Sequence, residues 1–267
     1  MSEFEKLRVV IGYEFLKHLR RRRLYIILGL ALIAELAVII GVPLLMDSYP
    51  NSMMVMAAML TVGPSLAAIG AVFFAGDAIA GEFESKTGFI LFTNPVKRLT
   101  LWTGKYLACS VAVVILVIFS YLIITITLLV IYGGVPIELA KSFGLCLLFA
   151  GSVLSVTFFF SAVSKGTMGA TVMTLLFIMV ISGIIESVLL FANKPYWFLL
   201  SAGGDSIILV YSEINVLMES FIPPDGTGML PFEFESPDIG LTTLGMVIYL
   251  VVGFALSIWI SKRRQLT

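Results

Sequence analysis

Charged side chains are scarce in this sequence of 267 residues, and so are the residues on which most enzyme chemistry depends. Asp, Glu, Lys and Arg together make up 13% of the chain, about half of their share in a soluble domain. The single histidine, His18, stands in a basic stretch, which excludes the usual histidine-based metal and general-base sites. The two cysteines, Cys109 and Cys146, are too few for a disulfide framework or a zinc cluster. We therefore expect no catalytic site, no metal and no cofactor.

Apolar residues take the place of charge, at 59% of the chain with a mean hydropathy of +1.05. A protein core alone cannot use so much apolar surface, so the composition excludes a water-soluble enzyme, a disordered chain and a nucleic-acid binder. A helix of about 20 apolar residues crosses a bilayer. Six runs reach that length and predict an all-α membrane protein with six transmembrane helices, at 24–46, 53–76, 106–132, 139–163, 168–192 and 240–260.

The basic residues orient these spans, because Lys and Arg accumulate on the cytoplasmic side of a membrane. With a cytoplasmic N-terminus, 15 of the 17 basic residues lie on the cytoplasmic side, and only Lys141 and Lys194 lie outside. The reverse topology would invert this ratio. The pattern therefore predicts a multi-pass protein of the cell membrane, surrounded by the lipid bilayer, with both termini cytoplasmic.

Residues 1–23, which precede the first span, are predicted to form an amphipathic helix. Apolar residues recur three or four positions apart and make one stripe, formed by Phe4, Leu7, Ile11, Phe15 and Leu19. We expect Lys6, Lys17 and the basic run at 20–23 to face water and lipid phosphate. Such an elbow helix lies in the cytoplasmic interface and anchors the six-span domain, 24–267. The alternative is that it also contacts a cytoplasmic partner.

The cytoplasmic loop at 77–105 is polar at both ends and apolar in its middle. Thr87 is a suitable N-cap for a short helix over 88–93, and Pro95 ends that helix because it disfavours helical backbone at the residue before it. The middle of the loop is too short to span a membrane and contains Phe89, Ile90, Leu91 and Phe92. An apolar helix on a loop needs a membrane surface or a protein groove to cover it.

The segment at 193–239 is the one large extracytoplasmic segment that the topology predicts. It holds seven acidic residues and one basic residue, Lys194. Apolar residues at helical spacing predict a surface-lying helix, on Ile207, Tyr211, Ile214, Met218 and Phe221. The segment is interpreted as a lid, with the binding of an extracytoplasmic partner as the alternative.

The loop carries a resemblance to a known family. It resembles the cytoplasmic loop of ABC-2-type permeases, the membrane subunits of one class of ATP-binding-cassette exporter. The matching positions are Asp77, Glu82, Glu84, Thr87, Leu91, Pro95, Arg98, Gly104 and Lys105. Lys86 departs from the family pattern, which has Gly before Thr87, and this puts the local turn in doubt. The last third of the chain is also similar in layout to the permease of the nitrous-oxide reductase maturation system.

The resemblance implies a function for the whole chain. A separate ABC ATPase subunit would bind and hydrolyse ATP, so this chain would need no catalytic site. The loop helix, with Phe89 and Leu91 on it, would dock in a groove of that ATPase as a coupling helix. Two permease copies would pair as a homodimer around a central path, and the substrate would be exported.

Glu35 is a candidate for the substrate path, because it lies near the middle of the first span. A carboxylate at that depth costs at least about 2.5 kcal/mol on insertion scales, so it should face protein or a watery cavity. The alternative is a hydrogen-bonded carboxyl that holds two helices together. Glu186 lies nearer to the outer end of its span, where its side chain could extend to the membrane surface, so a structural role is favoured over one in the substrate path.

Two other function classes remain open at this point. A stand-alone channel or ion-coupled carrier would need charge at the middle of the membrane, and Glu35 is the candidate for it. An intramembrane enzyme is disfavoured, because Asp205 follows a Gly-Gly pair but lies outside the predicted spans and has no intramembrane aspartate partner.

Overall fold

The computed structural model describes residues 2–85, 97–192, 194–211 and 237–263, and every regular element within them is a helix. A π-helical segment at Leu176–Ile181 joins the eighth and ninth helices. In chain order the helices are α1 (Glu3–Arg20), α2 (Arg23–Met46), α3 (Met53–Leu60), α4 (Gly63–Ala75), α5 (Ala80–Glu84), α6 (Arg98–Tyr132), α7 (Glu138–Val163), α8 (Thr167–Leu175), α9 (Ser182–Phe191), α10 (Leu200–Leu209) and α11 (Ile239–Arg263).

Six stretches are long and apolar enough to cross a membrane, and they confirm the prediction of an all-α protein with six spans. They are Arg23–Met46, Met53–Glu84, Arg98–Tyr132, Glu138–Val163, Thr167–Phe191 and Ile239–Arg263. The third span begins eight residues earlier than predicted. Its first turns carry polar side chains such as Lys105, which the sequence predicts to lie outside the membrane. In the structure Lys105 binds two carboxylates of the same protein.

The second span is broken after its first two turns. α3 ends at Leu60, and α4 begins at Gly63 with Pro64 in its first turn. Proline cannot donate an amide hydrogen bond, and its ring clashes with the carbonyl four residues earlier, here that of Leu60, so one helix cannot run unbroken from α3 into α4. The hydroxyl of Thr61 donates to the carbonyl of Ala57 at 2.7 Å, which satisfies one of the acceptors that the break leaves open.

The same span breaks again between α4 and α5, and here another helix supplies the missing partners. The hydroxyl of Ser161, on α7, accepts the amides of Ile79 and Ala80 at 3.1 and 3.0 Å. It also donates to the carbonyl of Gly76 at 2.8 Å. Unpaired backbone groups are costly where no water reaches them, so this one side chain stabilises the second break and ties α7 to it.

The second span lies at the centre of the bundle and the fifth at its edge. In the most apolar stretch of each span, 78% of the second is buried within the protein, against 11% of the fifth. α4 packs between α6 and α7, and α11 packs along α7. Glycine permits that close contact, because a Cβ on Gly253 would lie 3.1 Å from the backbone carbon of Ser155.

α1 begins with a reciprocal cap, in which Ser2 and Glu5 each satisfy the backbone amide of the other. It packs along the first turns of α6, where Leu7 and Val10 contact Gly104. The predicted apolar stripe is half-buried on this side except for Phe4, which is exposed. The helix therefore packs against protein and does not rest on lipid alone.

Candidate functional site

The described chain ends lie at one end of the bundle, which we call the terminal end. There the side chain of Thr100, in the first turn of α6, donates to Glu3 on α1 at 3.0 Å. At the same end, Arg98 Nη1 donates to the carbonyl of Lys262 at 3.3 Å. This carbonyl lies in the last turn of α11, where a cation is favourable. The described residues that flank 86–96, the middle of the predicted coupling loop, lie at this end, where Lys97 is 3.9 Å from Glu3 and Glu82 binds Lys105.

A buried ion cluster joins three elements at the terminal end. Lys105 on α6 has a side chain only 1% exposed, and its Nζ donates to Glu14 Oε1 on α1 and to Glu82 Oε1 on α5, each at 2.7 Å. Lys17 lies 3.4 Å from Glu14 and 3.8 Å from Glu82. We call these four residues the Lys105 cluster. Two cations and two anions balance, which is what allows charge to be buried at all.

A second cluster lies beside it, around Asp77 just after α4. Arg21 and Arg23 both donate to Asp77 Oδ2, the latter at 3.0 Å. Arg22, between them, has a left-handed backbone with φ of 58°, a conformation that costs a non-glycine residue roughly 1–2 kcal/mol. This turn directs both neighbouring arginines to one carboxylate. We call Asp77, Arg21 and Arg23 the Asp77 cluster.

Glu84 ties the end of the second span to the start of the fifth. Its carboxylate accepts the backbone amide of Thr167, the first residue of α8, at 2.8 Å. A carboxylate at a helix N-terminus satisfies an amide that has no partner within the helix and interacts favourably with the helix dipole. Glu84 therefore caps α8 from another element.

His18 fills the remaining space between α1 and the bundle. Its ring packs edge-on against Phe74 with centroids 5.2 Å apart, and Nε2 lies 3.5 Å from Cys109 Sγ. Burial lowers the pKa of His18 to about 4, more than the nearby carboxylates of Asp77 and Glu14 raise it. The imidazole is therefore neutral at neutral pH.

The structure brings together most of the described residues that the sequence singles out in the 77–105 loop. Asp77, Glu82 and Lys105 all bind partners on or next to α1. Lys17, Arg21 and Arg23, which are predicted to face water and lipid phosphate, pair instead with carboxylates of the protein. Thr87, Phe89, Leu91 and Pro95 lie outside the described residues, so their part in the site stays a prediction.

Glu14 is the member of the site that sequence reasoning misses. It is an acidic residue next to the apolar stripe of a mostly basic helix, directly before Phe15. That position is a usable signal, because a charge at the edge of a buried face needs a partner on the neighbouring element.

Glu35 is fully buried in the protein, between α2 and α6. Ser120 Oγ donates to Glu35 Oε1 at 2.6 Å, and Glu35 Oε2 has no hydrogen-bond partner among the described residues. This arrangement favours the carboxyl that holds two helices together over a residue of the substrate path. The path assignment stays a prediction.

The described part of the 193–239 segment differs from the predicted surface helix. α10 lies inside the bundle against α7 and α11, and Ile207 and Tyr211, the first two residues of the predicted stripe, are buried. Small residues such as Gly203 allow this, since a Cβ there would lie 2.9 Å from Met246. The rest of the stripe lies outside the described residues.

Comparison with known proteins gives one family. Residues 10–182 match the model of a family described as ABC-2 family transporter protein. The match covers well over half of the chain and includes every residue of the Lys105 and Asp77 clusters. A comparison with curated proteins gives no match.

Proposed function

The chain belongs to the ABC-2 family of transporter proteins, and from this premise we propose that it couples ATP hydrolysis by a separate ABC ATPase subunit to the export of a substrate. As a member of that family it is a multi-pass permease of an ABC transporter. The ATPase partner, the direction of transport and the coupling route are the proposal. The Lys105 cluster is the main structural support for the proposed coupling route.

The cluster supports coupling because it holds both flanks of the 86–96 segment. Glu82 precedes the segment and Lys105 follows it, and the two side chains meet at 2.7 Å. A displacement of the segment by a bound ATPase would therefore act on the second and third spans at once. Rigid helices joined by buried ion pairs transmit such a displacement, since packed interiors resist continuous deformation.

The contacts also extend the movement to other spans. Glu84 caps the fifth span at Thr167, and Arg98 binds the last turn of the sixth span. Glu14, on α1, accepts a hydrogen bond from the third span. In this proposal the coupling loop moves a connected base formed by five elements, namely α1 and the second, third, fifth and sixth spans. The elbow helix is then part of the transmission as well as an anchor.

The distribution of charge supports the proposed topology. Basic residues concentrate at the terminal end, in the two ion clusters and in the last turn of α11. By the positive-inside rule this end is cytoplasmic, where a soluble ATPase would meet the loop. The partners in the proposal are that ATPase, the bilayer and a second copy of the permease, and the chain itself performs no catalysis.

The coupling helix has a direct test in co-purification. The full chain is extracted from its native membrane in mild detergent, and its partners are identified by mass spectrometry. We expect a stoichiometric ATPase subunit with the wild-type chain. The double substitution Phe89→Asp with Leu91→Asp should release that subunit, because it places two charges on the face proposed to dock.

The matched control is Ile137→Asp, which changes a 73% exposed apolar residue in the loop after α6, at the other end of the bundle. This variant should keep the ATPase. Retention of the ATPase by the double variant would overturn the coupling-helix assignment. A wild-type chain that purifies alone and folded would instead favour the stand-alone channel or ion-coupled carrier.

A further inference from the structure

α1 has an exposed apolar face on the side away from the bundle. Val9, Tyr13 and Leu16 follow one another at spacings of four and three residues, which places them on one side of the helix. These residues are 59%, 71% and 41% exposed. Leu7 and His18, on the opposite side of the helix, pack against the bundle. α1 is therefore apolar on two faces, and the described residues cover only one of them.

The charge around the exposed face has one sign. Every exposed charged residue between positions 8 and 26 is an arginine, and these are Arg8, Arg20, Arg21 and Arg22. Glu14, the single acidic residue in that stretch, is partly buried and accepts a hydrogen bond from Lys105. The exposed surface of α1 and of the turn after it therefore carries only positive charge between these positions.

Two arginines in the turn between α1 and α2 have no anion of their own among the described residues. Arg21 and Arg23 both bind Asp77. The side chains of Arg20 and Arg22, at the alternate positions, are exposed and make no ion pair or hydrogen bond with the described part of the chain. A guanidinium group presents five donors in a geometry that suits phosphate oxygens. These two groups are therefore available to an anion from outside the described chain.

The backbone of Arg22 indicates that its side chain has a role beyond the turn. Its φ of 58° lies in the left-handed region, which glycine adopts without strain and arginine does not. Glycine at this position would make the same turn with less strain. Residues held in such sparsely populated conformations cluster at sites of binding and function.

The turn lies at the level of the lipid headgroups. α2 begins at Arg23 and is one of the six stretches long and apolar enough to cross a membrane. Tyr25 and Ile26, in its first turn, are 58% and 67% exposed, and only 17% of the most apolar stretch of this span is buried within the protein. Lipid therefore covers this surface. One helical turn, about 5.4 Å of rise, separates Ile26 from Arg22, so the unpaired arginines lie at the edge of a surface that lipid already covers.

We propose that the outer face of α1 and the turn after it bind an anionic phospholipid. Its phosphate headgroup would lie on Arg20 and Arg22, and its apolar part against Val9, Tyr13 and Leu16; we call these five residues the elbow surface. A free phosphate ion shares the headgroup chemistry but would leave the apolar side chains uncovered. A lipid covers both parts, because basic residues beside an apolar helix face suit the boundary between headgroups and acyl chains.

Lipid binding at the elbow surface also acts on the two ion clusters. Glu14 of the Lys105 cluster lies on α1, and Arg21 of the Asp77 cluster directly follows it. A lipid that binds α1 and the turn in their packed positions therefore stabilises both clusters. With the topology of the proposed function the lipid belongs to the cytoplasmic leaflet, and only that last statement rests on the proposed function.

The test is a lipid titration of the purified full chain in a neutral detergent, without any ATPase. Thermal unfolding is followed while short-chain phosphatidylglycerol, which is anionic, or short-chain phosphatidylcholine, which is zwitterionic, is added. We expect phosphatidylglycerol to raise Tm in a saturable manner that weakens with added salt, and to raise it more than phosphatidylcholine does. Arg20→Gln with Arg22→Gln should raise the midpoint concentration about 30-fold, since each arginine near an anionic surface contributes about five-fold in affinity.

Arg22→Gly separates lipid binding from the structure of the turn. Glycine relieves the left-handed strain, so Tm without lipid should rise, while the midpoint for phosphatidylglycerol should move about five-fold higher. Arg22→Lys keeps the charge and should keep the midpoint close to that of the wild type. An unchanged midpoint in Arg22→Gly would assign this arginine to the turn alone and overturn the proposal.

The matched control removes two exposed cations from the other end of the bundle, by Lys141→Gln with Lys194→Gln. This control should keep the wild-type midpoint. An equal loss in the control and in the arginine double variant would overturn the proposal, as would equal stabilisation by the two lipids. Inorganic phosphate that raises Tm as much as phosphatidylglycerol would also overturn it, because the apolar face would then contribute nothing. These results do not depend on whether an ATPase binds, so they are independent of the coupling proposal.

Discussion

Replacement of Lys105 by methionine is the sharpest test of the ion cluster at the terminal end. Methionine keeps the length and the apolar stem of the side chain but leaves Glu14 and Glu82 facing each other without the cation that lies 2.7 Å from both. Breaking a buried ion pair by removing one partner typically costs about 3–5 kcal/mol. Lys17 still lies 3.4 Å from Glu14, so we expect the lower end, about 3 kcal/mol.

The assay is thermal unfolding of the purified chain in detergent. A loss of about 3 kcal/mol should lower Tm by roughly 6–12 °C in a chain of this size. Lys97→Met is the control, because the side chain of Lys97 is 73% exposed and lies 3.9 Å from Glu3, and an exposed pair is screened by solvent. Its Tm should equal that of the wild type.

A second substitution in the same background separates charge from packing. Lys105→Met leaves two carboxylates without their cation. Glu82→Gln removes one of them, and Glu14 stays paired with Lys17. The double variant should therefore recover part of the lost Tm. The reasoning is refuted if Lys105→Met is no less stable than Lys97→Met, or if Glu82→Gln lowers Tm further in the Lys105→Met background.

Three further predictions follow from contacts of single residues. Gly104→Ala should lower the free energy of unfolding by about 1–3 kcal/mol, because its Cβ would lie 2.6 Å from a carbon of Val10. A Cβ at Gly12 meets nothing within 4 Å, so Gly12→Ala should raise stability by up to about 1 kcal/mol through helix propensity. Thermal unfolding of the two variants measures both effects. His18 has a pKa lowered from 6.5 to about 4, so the unfolded chain takes up its proton first and stability should fall by about 3 kcal/mol as the pH drops from 6.5 towards 4. His18→Phe should flatten that part of the curve, and an unchanged slope would contradict the assignment of a neutral, buried imidazole. Glu35→Gln keeps the size and a hydrogen-bonding oxygen of the side chain and should leave Tm and assembly intact; wild-type transport by this variant would remove Glu35 from the substrate path.

The six spans could be read from the sequence because bilayer thickness sets a length that apolar runs either reach or miss. The breaks in the second span could not be read as reliably. Pro64 marks the first break by its chemistry. The second break, at 76–79, is stabilised by Ser161, more than 80 residues later in the chain. A local sequence pattern cannot predict a hydrogen-bond partner at that distance.

The same distinction holds for the candidate site: some of its residues can be predicted from the sequence, and their partners cannot. Asp77, Glu82 and Lys105 stand out as charges at the ends of apolar runs, and the family resemblance adds them to a loop motif. Their partners on α1 are fixed by packing between elements, which a single sequence does not encode as a pattern. The burial of His18 is equally hidden, because its neighbours in the chain are basic and suggest an exposed surface.

The hydroxyl of Ser161 has a consequence for how the protein is made. Synthesis runs from the N-terminus, so the second span enters the membrane before the fourth span exists. Until residue 161 arrives, the amides of Ile79 and Ala80 and the carbonyl of Gly76 lack the partner that the finished protein gives them. Each such group costs several kcal/mol in a lipid environment. The second span therefore reaches its final hydrogen bonding only after the fourth span has been made and has packed against it.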